Sequence, residues 1–235
     1  MKPLYIICEG PSEQIFVEKL LIPYLYEKHV TNFSGYRILA PVLRSPKTRN
    51  QENKGGDVSY IRLKNHIEHF IKQTPDCCIT TFIDFYGIGN DFPNYNQLST
   101  IVDSYQKIAQ LEIDLRSIDS RITPYIQLHE YETVYFADMS GFIATDSKLQ
   151  GLESKFIDIL ARFNSRPELI NNSSATAPSK RITKILQDEC NLNYKKAKTF
   201  YATLYVASGG YIQKIDVIRG LCPHFNEWII KLLGL

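Results

Sequence analysis

The stretch Leu4-Tyr5-Ile6-Ile7-Cys8-Glu9-Gly10-Pro11-Ser12-Glu13-Gln14-Ile15-Phe16 constrains the fold of this chain more than any other. A short apolar, β-prone run stops at an acid and a glycine, and an amphipathic helical pattern begins at once. This strand–turn–helix sets Glu9 at the carboxyl end of a strand, the edge where open α/β sheets bind their ligands. Glu13 falls in the first helical turn. A carboxylate there faces free backbone N–H groups and the positive end of the helix dipole, so steadying the helix start is its simplest role. A chemical role needs more carboxylates at the same edge. Two later stretches supply them: Phe82-Ile83-Asp84-Phe85-Tyr86-Gly87 and Tyr125-Ile126-Gln127-Leu128-His129-Glu130-Tyr131-Glu132.

The pattern between these stretches reads as alternating strands and helices. Phe16, Leu20, Leu21, Tyr24 and Leu25 follow helical spacing, with Pro23 marking a kink or an end. Residues 36–43 resemble a second strand. A polar, basic loop follows, in which Arg44, Lys47, Arg49 and Lys54 precede two glycines; these cations are either solvated or meet phosphates. Asp57 or Ser59 is placed to cap a helix carrying Ile61, Ile67, Phe70 and Ile71. Residues 77–85 form a near-continuous apolar run, which fits a parallel strand covered on both faces and ending at Asp84. The pattern then gives a helix over 98–115 and a strand over 122–128, running into His129. Beyond 134 it gives only helices and loops: 149–163, 197–207 and a terminal apolar stripe of Phe225, Trp228, Ile229, Leu232 and Leu233. Residues 164–178, rich in Ser, Asn and Pro, read as a linker or mobile loop. This order predicts an α/β fold with right-handed crossovers and a mainly parallel sheet flanked by helices. Residues 1–140 form the α/β domain and residues 141–235 a C-terminal helical extension packed on it.

Composition narrows the class but not the chemistry. A chain of 235 residues with 44% hydrophobic content can build a sizeable core. A net charge of +2 gives no global pull toward nucleic acid or membranes, so any basic surface must be local. The five cysteines match neither a disulfide framework nor a zinc spacing, which points to a reducing cytoplasm. No apolar run reaches the ~18–20 residues of a membrane helix, and none resembles a signal peptide, so a soluble protein is expected.

Glu9, Glu13, Asp84, Glu130 and Glu132 are the candidate site. Carboxylates brought together repel, so some must bind protons or share a cation. Hard oxygen ligands in an open site suit Mg²⁺ or Mn²⁺, the ions of metal-assisted phosphoryl transfer. Each acid alone has a plainer role as a helix cap or surface ion-pair partner. Three separate acidic strand ends are harder to explain that way. His129 is read as a phosphate donor or as a structural side chain. The run Tyr194-Lys195-Lys196-Ala197-Lys198-Thr199-Phe200-Tyr201 interleaves aromatics and lysines as nucleic-acid grooves do. Helical spacing accounts for it more simply, with Tyr194, Ala197 and Tyr201 inward and the lysines solvated.

Glu9-Gly10 at one strand end and Asp84 at another resemble the Toprim fold of topoisomerases, primases and OLD-family nucleases. Glu9-Gly10-Pro11-Ser12-Glu13 is similar to the E-x-x-x-E form of OLD-type nucleases, and Glu130-Tyr131-Glu132 to their later acidic motif. More closely, the whole chain resembles a Toprim-related bacterial family of unknown function, through Asp84-Phe85-Tyr86-Gly87, His129-Glu130-Tyr131-Glu132, Ala177-Pro178-Ser179-Lys180-Arg181 and Cys222-Pro223-His224-Phe225-Asn226-Glu227-Trp228. The resemblance implies a Mg²⁺- or Mn²⁺-dependent nuclease acting on DNA or RNA. Glu9, Asp84 and Glu132 would be its core acids, Glu13 a further ligand and Lys180 the lysine beside the metals. His129 and Arg181, with the basic loop, would meet nucleic acid. It also implies an ABC- or AAA-type ATPase partner in phage defence. One departure stands out: the usual Toprim Asp-x-Asp is Asp84-Phe85-Tyr86 here, which removes a ligand unless Glu130 or Glu132 replaces it. A non-catalytic, Toprim-like partner of an ATPase is the competing expectation.

Overall fold

The computed structural model describes residues 1–43, 58–171 and 173–235. Arg44, Lys47, Arg49 and Lys54, proposed from sequence as phosphate contacts, lie outside the described residues. The fold is built on five parallel strands: β1 (Lys2–Cys8), β2 (Tyr36–Leu39), β3 (Cys78–Asp84), β4 (Ile122–Thr123) and β5 (Ile126–Gln127). The order is β2-β1-β3-β4, with β5 also pairing β3. Leu4 to Cys8 lie beside Cys78 to Phe82 in register. The expected strand over 122–128 is split into β4 and β5 at Pro124, which has no N–H to give to a ladder. The Thr81 hydroxyl fills the break, donating to the Tyr125 carbonyl at 2.7 Å and accepting the Tyr125 N–H at 3.0 Å.

Helices cover both faces, as the apolar runs require. One face carries Ile7, Ile79 and Ile83 against α4 (Tyr60–Gln73) and α5 (Ser104–Arg116). Ser59 and Asp103 cap these two helices with their side-chain oxygens. The helix expected over 98–115 therefore begins only at Ser104, after a 3₁₀ segment over Tyr95–Thr100. The other face carries Leu4, Ile6, Cys8 and Phe82 against the helix that follows β1. That helix runs as α1 (Pro11–Phe16), a π-helical stretch Val17–Leu21, and α2 (Ile22–Lys28). Pro23 does not end it. A proline ring clashes with the carbonyl four residues back, and the wider π turn, in which the Ile22 N–H reaches the Val17 carbonyl, makes room for it. A short helix, α3 (Val30–Phe33), leads into β2.

After β5 the chain is helical: α6 (Thr133–Ala137), α7 (Met139–Ile143), α8 (Glu153–Ala161), α9 (Pro178–Cys190), α10 (Tyr194–Ala207), α11 (Tyr211–Leu221) and α12 (Pro223–Leu233). These helices share one hydrophobic cluster with β1 and α1. The residue that fixes them to the sheet is Trp228. Its ring stacks with Tyr125 (centroids 4.3 Å apart) and with Phe82 (5.6 Å), and its indole N–H donates to the Thr80 hydroxyl at 2.8 Å. The segment over 164–178, expected to be a linker, holds the start of α12 instead. Glu168 is fully buried and accepts the backbone N–H groups of His224 and Phe225 at 3.1 and 2.9 Å, a carboxylate set on a helix N-terminus. All five thiols are free, and among the described residues no helix is long and apolar enough to cross a membrane.

The Trp228–Thr80 bond yields a stability test. Replacing Thr80 with Val leaves a buried indole N–H without an acceptor and is expected to destabilise the protein by about 1–3 kcal/mol. Trp228→Ala, which also opens a cavity, is expected to remove about 3–5 kcal/mol. Denaturant unfolding followed by circular dichroism reads both; a Thr80→Val protein as stable as the parent would contradict the role assigned to this bond.

Candidate active site

The acids of the three sequence stretches meet at the carboxyl ends of β1 and β3. Glu9 is the first residue past β1, and its N–H still donates to the Phe82 carbonyl at 3.1 Å. In a continuing parallel ladder the Asp84 N–H would go to the backbone carbonyl of residue 9. Here the Glu9 carboxylate turns back and takes that N–H itself, at 2.9 Å from Oε2. The side chain lies against Gly87: a Cβ there would stand 2.9 Å from Glu9 Oε1 and 3.0 Å from Oε2, so a larger residue would push the carboxylate aside. Gly10 does the same for Glu13, whose Oε2 would lie 3.0 Å from an added Cβ. The two glycines of the sequence motifs are thus the places where carboxylates press on the backbone.

Asp84 continues the row Cys78, Thr80, Phe82 and so emerges on the face covered by α1 and the C-terminal helices. Glu132 reaches the same place by a different route. After β5 the chain turns at His129, which sits at φ +64°, and Glu132 becomes the residue preceding α6. Glu130 and Glu132 therefore lie in a turn and not on a strand face. Glu13, Asp84 and Glu132 are buried, the last completely.

Among the described residues one cation enters this group, Lys198 from α10. Its Nζ stands 3.0 Å from Glu132 Oε1 and 3.7 Å from Glu13 Oε1. The Tyr194 hydroxyl, one turn earlier on the same helix, donates to the same Glu132 oxygen at 3.2 Å. This corrects the sequence expectation for Lys198, while Lys195 and Lys196 are exposed as expected. Helical spacing puts Tyr194, Lys198, Tyr201 and Tyr205 on one inward stripe. The signal was the four-residue step from Tyr194 to Lys198, which an apolar count ignores. Two carboxylate oxygens of the group, Asp84 Oδ1 and Glu132 Oε2, are buried with no hydrogen-bond partner.

The electrostatics follow from four acids sharing one ammonium. Burial, then the charge of Glu13, pushes Glu9 up to about 7, against the opposing hydrogen bond from the Asp84 N–H. Burial, then Glu9 and Glu13, holds Asp84 well above the usual carboxylate range. Burial works against the charged form of Lys198, but Glu132, Glu13 and Asp84 outweigh it and keep the ammonium protonated far into the alkaline range.

The remaining sequence candidates stand apart from that ammonium. Glu130 lies on the first turn of α9, accepting the Ser179 N–H at 2.7 Å and the Ser179 hydroxyl at 3.0 Å. Burial and Glu132 raise its pKa. Lys180, next in the chain, makes no ion pair with these acids among the described residues; Lys198 stands where the resemblance set Lys180. Arg181 is held by the Thr176 carbonyl at 2.6 Å, by Asn171 at 3.0 Å and by the face of Phe163. His129 is buried with Nδ1 unpartnered, and burial, then Lys107, pushes its pKa down to about 4, so the ring is neutral at ordinary pH. A neutral, buried imidazole is a poor phosphate anchor. Tyr86, at the position of the missing Asp, is 40% exposed.

The donor set suits a hard divalent cation in kind: several carboxylates, two of them with an orphaned oxygen. Among the described residues no three His, Cys, Asp or Glu side chains are drawn in tightly enough to hold an ion, and an ammonium stands between two of the acids. A concavity of about 620 Å³ runs along α4, between Ser59 and His69.

The raised pKa of Glu9 has a measurable sign. Its proton is bound in the folded protein and lost in the unfolded chain between about pH 4.5 and 7. Stability contributed by that proton is present below this window and lost as pH rises through it, by up to about 3 kcal/mol. Metal-free protein should therefore lose stability between about pH 4.5 and about pH 7, and Glu9→Gln should flatten that slope. Equal slopes for the two proteins in denaturant titrations with chelator would refute the assignment.

No curated protein and no solved structure matches this chain. One family model does, described as "Domain of unknown function (DUF4276)", over residues 8–233. That span begins at the last residue of β1, ends with the last helix and includes every member of the acid group. The chain belongs to the DUF4276 family of domains of unknown function.

Proposed function

We propose that this protein is a Mg²⁺- or Mn²⁺-dependent phosphodiesterase that hydrolyses DNA or RNA at the Glu9–Glu13–Asp84–Glu132 group. The observation that supports it is the convergence of four carboxylates, delivered by three distant segments, around one ammonium, with two buried oxygens left free. A structural ion pair needs one acid per base; four acids on one lysine leave negative charge that only protons or a further cation can offset. Glu9, Glu13, Asp84 and Glu132 would hold the metal, which when bound supplies charge stabilisation for the attacking and leaving oxygens. Glu9 would also take a proton from an attacking water or give one to a leaving oxygen. Lys198 would set positive charge beside the phosphate. Glu130, engaged by Ser179, would steady the start of α9. An ABC- or AAA-type ATPase partner, and a role as effector in phage defence, belong to this proposal through the resemblance of the acidic motifs alone.

A second reading is a non-catalytic partner of such an ATPase. Tyr86, standing where the Toprim pattern has an acid, favours it, as does the pairing of Lys198 with Glu13 and Glu132. Cleavage assays decide between them. Mn²⁺-stimulated cleavage of nucleic acid is expected, lost by at least ~100-fold in Glu9→Gln and in Asp84→Asn with circular dichroism unchanged. Cleavage undiminished in both variants removes the nuclease reading. A protein that neither binds Mn²⁺ nor cleaves leaves the binding role.

A further inference from the structure

The Lys198 side chain is 37% exposed, while Glu13 and Glu132 beneath it are 5% and 0% exposed. It therefore covers the acids as well as pairing with them. It is also the end of a long flexible stem, joined to a helix that is fixed independently of it. α10 is fixed by Tyr194, Tyr201 and Tyr205 in the core, and by the Tyr205 hydroxyl on Asp138 at 3.2 Å. Asp138 in turn holds the Lys214 ammonium at 3.0 Å, so that second cation is already committed. The backbone of α10 can stay in place while the Lys198 ammonium swings away.

Resting on the metal-dependent reading above, we propose that Lys198 is a tethered stand-in for the divalent cation: it occupies the acid group in the metal-free protein, and metal entry displaces it to solvent. A point charge at the end of a flexible four-carbon stem is suited to this, where the rigid fork of an arginine is not. The two orphaned oxygens, Asp84 Oδ1 and Glu132 Oε2, are acceptors that one ammonium on Glu132 Oε1 leaves unused and that a multivalent oxygen-binding ion would take. The device keeps the buried acids compensated at all times and makes metal affinity a difference between two cations. Metal uptake would then be coupled to exposure of a lysine at the mouth of the site, where a phosphate backbone would meet it.

The test uses the full chain stripped with chelator, and Mn²⁺ alone as the probe. Calorimetric titration of the Lys198→Gln protein is expected to show Mn²⁺ binding at least ~10-fold tighter than the parent, because a competing charge is gone. Its melting temperature should be lower in chelator and rise more on Mn²⁺ addition. A second measurement needs no substitution: amine-reactive labelling of the parent, read by mass spectrometry, should show Lys198 protected without metal and severalfold more reactive at saturating Mn²⁺, with Lys195 and Lys196 unchanged. Mn²⁺ binding that Lys198→Gln leaves equal or weaker, or labelling of Lys198 that does not respond, overturns the displacement while leaving the metal site standing. No Mn²⁺ binding in either protein overturns both.

Discussion

Like charges gathered away from water must be compensated, and the Lys198 ammonium is what compensates them here. Its pairing with Glu132 and Glu13 ties α10 to α1 and to the turn after β5, elements far apart in the chain. Without it, four carboxylates would have to take up protons or the site would have to open. The local sequence is arranged to permit the crowding. Gly10 and Gly87 let two carboxylates lie on backbone, and the Asp84 N–H, freed by the end of β1, gives one of them a donor. Ladder, glycines and lysine are parts of one arrangement.

That arrangement depends on the C-terminal helices being part of the fold's core and not an attachment to it. Trp228 lies against β3 two residues before Phe82 and four before Asp84 on the same face, through its bond to Thr80. Glu168 fixes the start of α12, and Tyr24 joins α2 to α11 by accepting from Arg219 at 2.7 Å and donating to Asp216 at 2.9 Å. The same packing that orders these helices orients α10, so the rigidity of the site is inherited from aromatic stacking on the far end of the same sheet face.

Much of this was legible in the sequence. Apolar runs ending in acids gave the parallel strands and their edge, because burial on both faces leaves a period-free signature and the first polar residue marks the exit. Glu9, Asp84 and Glu132 were found for that reason. Lys198 was missed because a lysine inside a helical pattern is read as solvated unless its partners are known, and those partners are 66 and 185 residues away in the chain. The reading of 164–178 as a linker failed similarly: Glu168 looks like any loop acid until α12 presents its N–H groups to it. Pro23 misled because a π turn has no sequence signature comparable to the proline it accommodates. Sequence patterns reveal what each segment hides from water; they are silent on which distant segment supplies the counter-charge.

The order in which the parts of the acid group emerge from a ribosome follows from the same geometry. The carboxylates are all synthesised by residue 132, whereas the ammonium arrives at residue 198 and the stacking indole at residue 228. A nascent chain halted between these points carries the negative charge with nothing to offset it and a sheet face with no cover. Such a fragment has β1 and β3 to pair but lacks both the counter-charge of α10 and the aromatic cover of α12 that complete the acid group.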